Sequence, residues 1–136
     1  MAAQALLASA ARTAAANSDQ VRQAAVDMNR GIVLILDVTA TPNNGETLTP
    51  SVQIYDPISA KYQTLTAFKA TKKGEEIGAT STTTTLLYTL YPGASETEST
   101  ASHEVQALPL PAIWRAVVTP SSTGSWTYSL AYQTLA

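Results

Sequence analysis

The sequence predicts an all-β protein: an antiparallel two-sheet sandwich, immunoglobulin-like or a small jelly roll, with an N-terminal Ala-rich arm. Three observations carry this. Short runs rich in β-branched and aromatic residues follow one another from Gly31 to the C-terminus, and such side chains suit a pleated surface. Clusters of Pro, Gly, Asn, Asp and Ser separate the runs at regular spacing, the pattern of an all-β sandwich. The last run alternates with period two: Trp126, Tyr128, Leu130 and Tyr132 face one way and Thr127, Ser129, Ala131 and Gln133 the other. The chain divides into an arm, 1–29, and a sandwich domain, 30–136.

Residues 1–17 hold nine alanines and one charge, Arg12. Alanine favours helix but buries little area, so this segment has few means of docking on its own core. Asn17-Ser18-Asp19-Gln20 has the form of a helix start, with Val21, Ala24, Ala25 and Met28 on one face of a short helix over 18–29. The competing reading makes Arg12–Ser18 an extended arm or a first strand. On either reading the arm is expected to lack an internal partner. Its removal, residues 1–20, is then expected to leave a folded sandwich.

Gly31 opens Ile32-Val33-Leu34-Ile35-Leu36-Asp37-Val38, apolar on both faces. That pattern belongs to a central strand, or to one whose second face another chain covers. Ser51 to Tyr55 and Lys61 to Leu65 alternate around Asp56-Pro57-Ile58-Ser59-Ala60. Pro57 pre-sets φ there and Asp56 can accept bonds from its own backbone, so this is a hairpin. Thr82 to Tyr91 is strongly β-prone and stops at Pro92-Gly93. Ile113 to Val118 is a further strand. Pro120 to Gly124 is read as a second hairpin turn leading into Trp126. The expected strands are 32–39, 50–55, 61–67, 82–91, 112–119 and 125–133, with a seventh before Gly31. Two stretches, Lys69 to Gly78 and Ala94 to Gln106, are charged or Ser/Thr-rich and read as solvated loops.

Composition narrows the function. At 136 residues the chain is one domain, long enough to bury a core without disulfides or metals. Net charge is −2 and 13% of residues are charged, about half the ~25% usual in soluble domains. No basic face for nucleic acid is implied, and a surface so poor in charge often lies against another chain. Cysteine is absent, which removes disulfides and thiolate metal sites. No run approaches the ~18–20 apolar residues of a membrane span. Met1 to Ala10 lacks the basic leading region of a signal peptide.

The residues give catalysis little to work with. The one histidine, His103, lies near Glu96, Glu98 and Glu104 in a loop, where a His-carboxylate cation site is the sharp reading and solvated side chains the plainer one. No G-x-S-x-G elbow, P-loop, H-E-x-x-H or EF-hand pattern occurs. Asp37 reads as a cross-strand or turn hydrogen-bond partner, and Asp56 is explained by its turn. Trp114 and Trp126, with Tyr128 and Tyr132, read as core aromatics rather than a sugar-stacking platform. Arg115 points away from Trp114, toward an acidic group or a neighbouring subunit. The chain is therefore read as a non-enzyme with no cofactor and no metal.

Several stretches together resemble a family of small structural proteins of tailed bacteriophages. They are Leu6-Leu7-Ala8-Ser9-Ala10-Ala11-Arg12-Thr13, Asn29-Arg30-Gly31-Ile32-Val33 with Asp37-Val38-Thr39-Ala40, and Tyr55-Asp56-Pro57-Ile58-Ser59-Ala60-Lys61-Tyr62. Leu90-Tyr91-Pro92-Gly93, Leu108-Pro109 with Trp114-Arg115, and Ser125-Trp126-Thr127-Tyr128-Ser129 complete the set. The likeness spans nearly the whole chain and rests on the order of the pieces. The loops at Lys69–Thr80 and Ala94–Gln106 are longer and more charged than the family pattern. The resemblance implies a virion protein made in the bacterial host cytoplasm. It implies a capsid decoration (cement) protein with the major capsid protein and copies of itself, a dimer or a trimer, as partners. Neither nucleic acid nor membrane is expected as a partner. Candidate interface residues are Leu6, Leu7, Arg12, Val21, Arg30 and Arg115. The alternative is a carbohydrate- or receptor-binding β-sandwich module of a phage tail or head fibre.

Overall fold

In a computed structural model of the chain, residues 4–23, 30–78, 80–81, 83–98 and 103–135 are described. They form twelve strands: β1 (Gln4–Arg12), β2 (Ala16–Asn17), β3 (Val21–Arg22), β4 (Gly31–Ala40), β5 (Thr47–Asp56), β6 (Lys61–Ala67), β7 (Thr71–Lys72), β8 (Thr84–Leu90), β9 (Thr97–Glu98), β10 (His103–Gln106), β11 (Ile113–Pro120) and β12 (Trp126–Leu135). Sheet A has the order β1-β12-β4-β8-β10-β9. Sheet B has the order β2-β11-β5-β6, with β3 also on β11 and β7 also on β5.

The pairings are nested. β1 pairs with β12, β2 and β3 with β11, β4 with β8, and β5 with β6, all antiparallel. First strand with last, second with second-last, and so inward to a central hairpin is the arrangement of a jelly roll. In an immunoglobulin-like sandwich the last two strands share a sheet; here β11 and β12 lie in opposite sheets. The turn expected to make a hairpin at Pro120–Gly124 is thus a corner between sheets. Turn residues announce a reversal of the chain, not which sheet receives it. The corner is pinned to β5, with Ser121 N–H on the Thr47 carbonyl at 2.9 Å and Thr47 N–H on Ser121 Oγ at 2.9 Å.

The core lies between the sheets and is built from alternate positions. Ile32, Leu34, Leu36 and Val38 of β4, Leu86, Tyr88 and Leu90 of β8, and Trp126, Tyr128, Leu130 and Tyr132 of β12 all face inward and are buried. Sheet B contributes Leu48, Val52, Trp114, Ala116 and Val118. Trp114 meets Tyr132 edge to face across the sandwich, with ring centroids 5.3 Å apart and planes at 83°, a favourable aromatic geometry. Gly31 is required where it stands, because a Cβ there would meet the Leu90 carbonyl and the Tyr91 ring.

The N-terminal segment differs from expectation. Residues 4–12 form an edge strand on β12, and Leu7 joins the core at 9% exposure. The chain then crosses to sheet B, where β2 and β3 lie on β11. Apart from a bend at Thr13 and Ala14 it shows no helical turn through residue 23, and residues 24–29 of the expected helix lie outside the described residues. The segment has internal partners because the edges of both sheets accept it through backbone bonds, which need no large side chains.

Both stretches read as loops carry strands. β7 pairs with the start of β5, and Thr71, Lys73 and Ile77 are buried. The Lys73 ammonium is satisfied by the Gly78 carbonyl at 2.9 Å and by that of Ser81. Farther on, β10 adds to sheet A parallel to β8, and β9 pairs with β10.

Candidate interaction surface

Outward-facing side chains differ sharply between the two sheets. On sheet B, Arg115 of β11 donates Nε–H to Gln53 Oε1 of β5 at 2.8 Å and lies 3.8 Å from the ring centroid of Tyr62 on β6. This bonded network covers the centre of the face. Tyr55 packs beside Tyr62 at 4.9 Å, tilted by 51°. At the hairpin tip, Asp56 accepts from the Ser59 hydroxyl at 2.8 Å and the Ile58 N–H at 2.9 Å. These bonds hold its carboxyl below the usual carboxylate range, the hydroxyl contributing most. Ile58 projects into solvent at 96% exposure.

On sheet A the outward positions follow the register. One row runs Ala5, Ala131, Ile35, Leu87, His103. The next runs Gln133, Val33, Thr89, Val105, and a third runs Ser129, Asp37, Thr85. Leu87 is 40% exposed. Asp37 Oδ1 accepts from Thr85 Oγ1 at 3.2 Å, the cross-strand bond expected for it.

The candidate interface residues separate into two groups and one core residue, Leu7. Leu6 and Val21 come together: both line a groove of about 330 Å³ between β1 and β3, with Gln4, Asp19, Gln20 and Arg22. The three arginines each sit over a tyrosine of the same chain. Arg12 lies 4.7 Å from the Tyr128 ring, Arg30 5.2 Å from Tyr91, and Arg115 3.8 Å from Tyr62. Arg12 also donates to the carbonyls of Ala8 at 2.6 Å and Tyr128 at 2.9 Å. It bridges the stretch where the register of β1 on β12 shifts between Leu7 and Ala10. Leu7 is core.

No catalytic arrangement forms among the described residues. Adjacent positions on β10 point to opposite faces, so His103 turns outward while Glu104 turns in and is 5% exposed. Glu104 accepts from the Lys69 N–H and from Gln106 Nε2, both at 2.7 Å. Among the described residues, no group of three or more His, Cys, Asp and Glu could hold a metal ion. Beside Glu104, the Tyr88 hydroxyl and Thr71 Oγ1 share a hydrogen bond at 2.6 Å. Burial, helped by the charges of Glu104 and Glu76, pushes the Tyr88 phenol up to about 12 against the opposing effect of the Thr71 bond. Trp114 and Trp126 are both at 0% exposure, so they make no stacking platform for a sugar.

Sequence reasoning flagged Val33 and Ile35 through the two-faced pattern of β4. It missed Leu87 and Val105, the first because consecutive Leu86-Leu87 hides which residue faces out. Val105 sits in a stretch whose composition read as loop.

No protein-family model matches the chain, and no curated protein matches it.

Proposed function

We propose that this protein is a non-enzymatic virion protein, a decoration (cement) protein that binds the outer shell of a tailed-bacteriophage capsid and clamps adjacent capsomers. The observation that carries the reading is the ordered resemblance running from Leu6 to Ser129. Two further features support it. Three side chains with chemical reach, Glu104, Asp56 and Lys73, are held in internal hydrogen bonds. The jelly roll is also a fold of viral capsid proteins, although it serves lectins as well and so chooses no function by itself.

In this reading the contacts are the activity. The open side of the sandwich, with Leu6 and Val21 in the groove between β1 and β3, is the surface offered to the shell. Repetition over a closed lattice turns weak single contacts into firm attachment through effective concentration. The experiment mixes purified protein with undecorated shells and measures occupancy and resistance to heat or osmotic shock. Saturable binding with a gain in shell stability is expected. Failure to bind shells, together with binding to a polysaccharide, would replace this reading by a carbohydrate-binding fibre module.

A further inference from the structure

The chain has asparagines at 17, 29, 43 and 44, and only Asn44 is followed by glycine. An Asn-Gly pair carries its own reaction. The glycine nitrogen attacks the side-chain carbonyl carbon of the asparagine, the new C–N bond closes a five-membered succinimide, and the amide nitrogen leaves as ammonia. Water then adds to one of the two ring carbonyls and opens the ring to aspartate or to isoaspartate. The reaction needs water alone. Glycine favours it because no side chain shields the attacking nitrogen.

The structure holds this pair in a conformation that does not react. Residues 43–46 form a turn closed by the Glu46 N–H on the Asn43 carbonyl at 3.3 Å. Gly45 stands at φ +92°, whereas Ala60 is the one non-glycine residue at positive φ among the described residues, so Asn44 is at negative φ. Negative φ followed by positive φ makes a type II turn, with ψ of Asn44 at ~+120°. The Gly45 nitrogen is then turned away from the Asn44 Cβ, and ring closure needs the two on the same side of the Cα–C bond. The Gly45 N–H is also engaged. It donates to the Lys73 carbonyl at 2.8 Å, and the Lys73 N–H donates back to the Glu46 carbonyl at 2.9 Å. Asn44 and Gly45 are themselves exposed, so water reaches the carboxamide and the backbone alone withholds the reaction.

We propose that Asn44 is a latent deamidation site, gated by local release of the 43–46 turn from Lys73. Release frees the Gly45 nitrogen and lets ψ of Asn44 rotate toward ring closure. The product makes the release permanent. Isoaspartate lengthens the backbone of the turn by a methylene, and either product adds a carboxylate two residues from Glu46. The Glu46 carboxylate accepts from the Asn43 N–H at 3.3 Å and from the Ser122 hydroxyl, so the change reaches the corner between β11 and β12. The reaction is independent of shell binding.

The test incubates the full chain in mildly alkaline buffer, folded and unfolded in urea, and follows each asparagine by peptide mass spectrometry. In the unfolded chain Asn44 is expected to react before the other asparagines. In the folded chain it should react about 10- to 100-fold more slowly, the protection that two turn hydrogen bonds give. Glu46→Ala removes the side-chain hold on Asn43 and Ser122 and leaves the reacting pair intact. It should speed Asn44 in the folded chain and leave Asn17, in β2, unchanged. Equal rates at Asn44 in the folded and unfolded chains, or another asparagine reacting first in urea, overturn the proposal. So does a folded Glu46→Ala variant that leaves Asn44 unchanged or speeds Asn17 equally.

Discussion

Ser18 and Ala116 exchange two hydrogen bonds at the point where the edge of sheet B is interrupted. The Ser18 N–H donates to the Ala116 carbonyl at 2.8 Å, and the Ala116 N–H donates to Ser18 Oγ at 2.9 Å. Between β2 and β3 the backbone leaves its ladder, and a side-chain hydroxyl takes the place of the carbonyl that a continuous strand would supply. Ser18 is 6% exposed and Ala116 is at 0%, so without the hydroxyl the Ala116 N–H would be buried and unpaired. Ser18→Ala should therefore destabilise the fold by about 1–3 kcal/mol, measured by denaturant unfolding. Ser18→Thr, which keeps the oxygen, should lose less.

Deletion of residues 1–20 strips β1 from sheet A, removes Leu7 from the core and breaks the Ser18–Ala116 exchange. It also leaves β12 and much of β11 as open edges, which invite association with other chains. The truncated protein should be strongly destabilised or aggregate, as read by its thermal midpoint and by light scattering. A soluble truncated form with an unchanged midpoint would return the segment to the status of a detachable arm.

Trp114 and Trp126 lie in opposite sheets with no exposed surface. Replacing either by Ala should cost about 3–5 kcal/mol through lost burial and the cavity left behind. Trp114→Ala also removes the edge-to-face contact with Tyr132. Equilibrium unfolding of the two variants checks this, and a loss below about 1 kcal/mol in both would show that neither ring supports the core.

Tyr88 makes stability fall at alkaline pH. Its phenol is pushed up to about 12 in the folded chain, against ~10 for an unfolded tyrosine. Between those values the unfolded chain releases the proton and the folded chain holds it, so the contribution is complete below pH ~10 and is lost as pH rises to ~12, in total about 3 kcal/mol. Unfolding followed from pH 9 to pH 12 should show the decline. Tyr88→Phe should lose about 1 kcal/mol at pH 8, because Thr71 Oγ1 loses its partner, and should decline less steeply. An equal slope in the variant would assign the alkaline loss to other groups.

Local chemistry was legible in the sequence where it decides local structure. The bounds of β6 were read residue for residue because Asp56 and Pro57 fix the turn before it, and the alternation of β12 gave its buried face directly. Pairing beyond the β5–β6 hairpin was not legible. A jelly roll joins residues far apart in the chain, as Gln4 with Tyr132, and no short-range pattern specifies that match. Alanine hid β1, since an edge strand held by backbone bonds needs little side-chain area. Charge hid β7 and β10: Lys73 and Glu104 read as solvated, yet each is buried against backbone groups that only the fold brings to it. The surface residues were half legible. The two-faced pattern of β4 marked Val33 and Ile35, whereas Leu87 and Val105 join them only through the register of β8 and β10.

Copy number in purified particles tests the decoration reading most directly. Quantitative mass spectrometry of intact virions gives the ratio of this chain to the major capsid protein. Decoration requires a fixed ratio near one copy per capsid subunit, or a simple fraction of it, with hundreds of copies per particle that are lost together when the shell is stripped. A few copies per particle that travel with the tail or a fibre, or none at all, would contradict it.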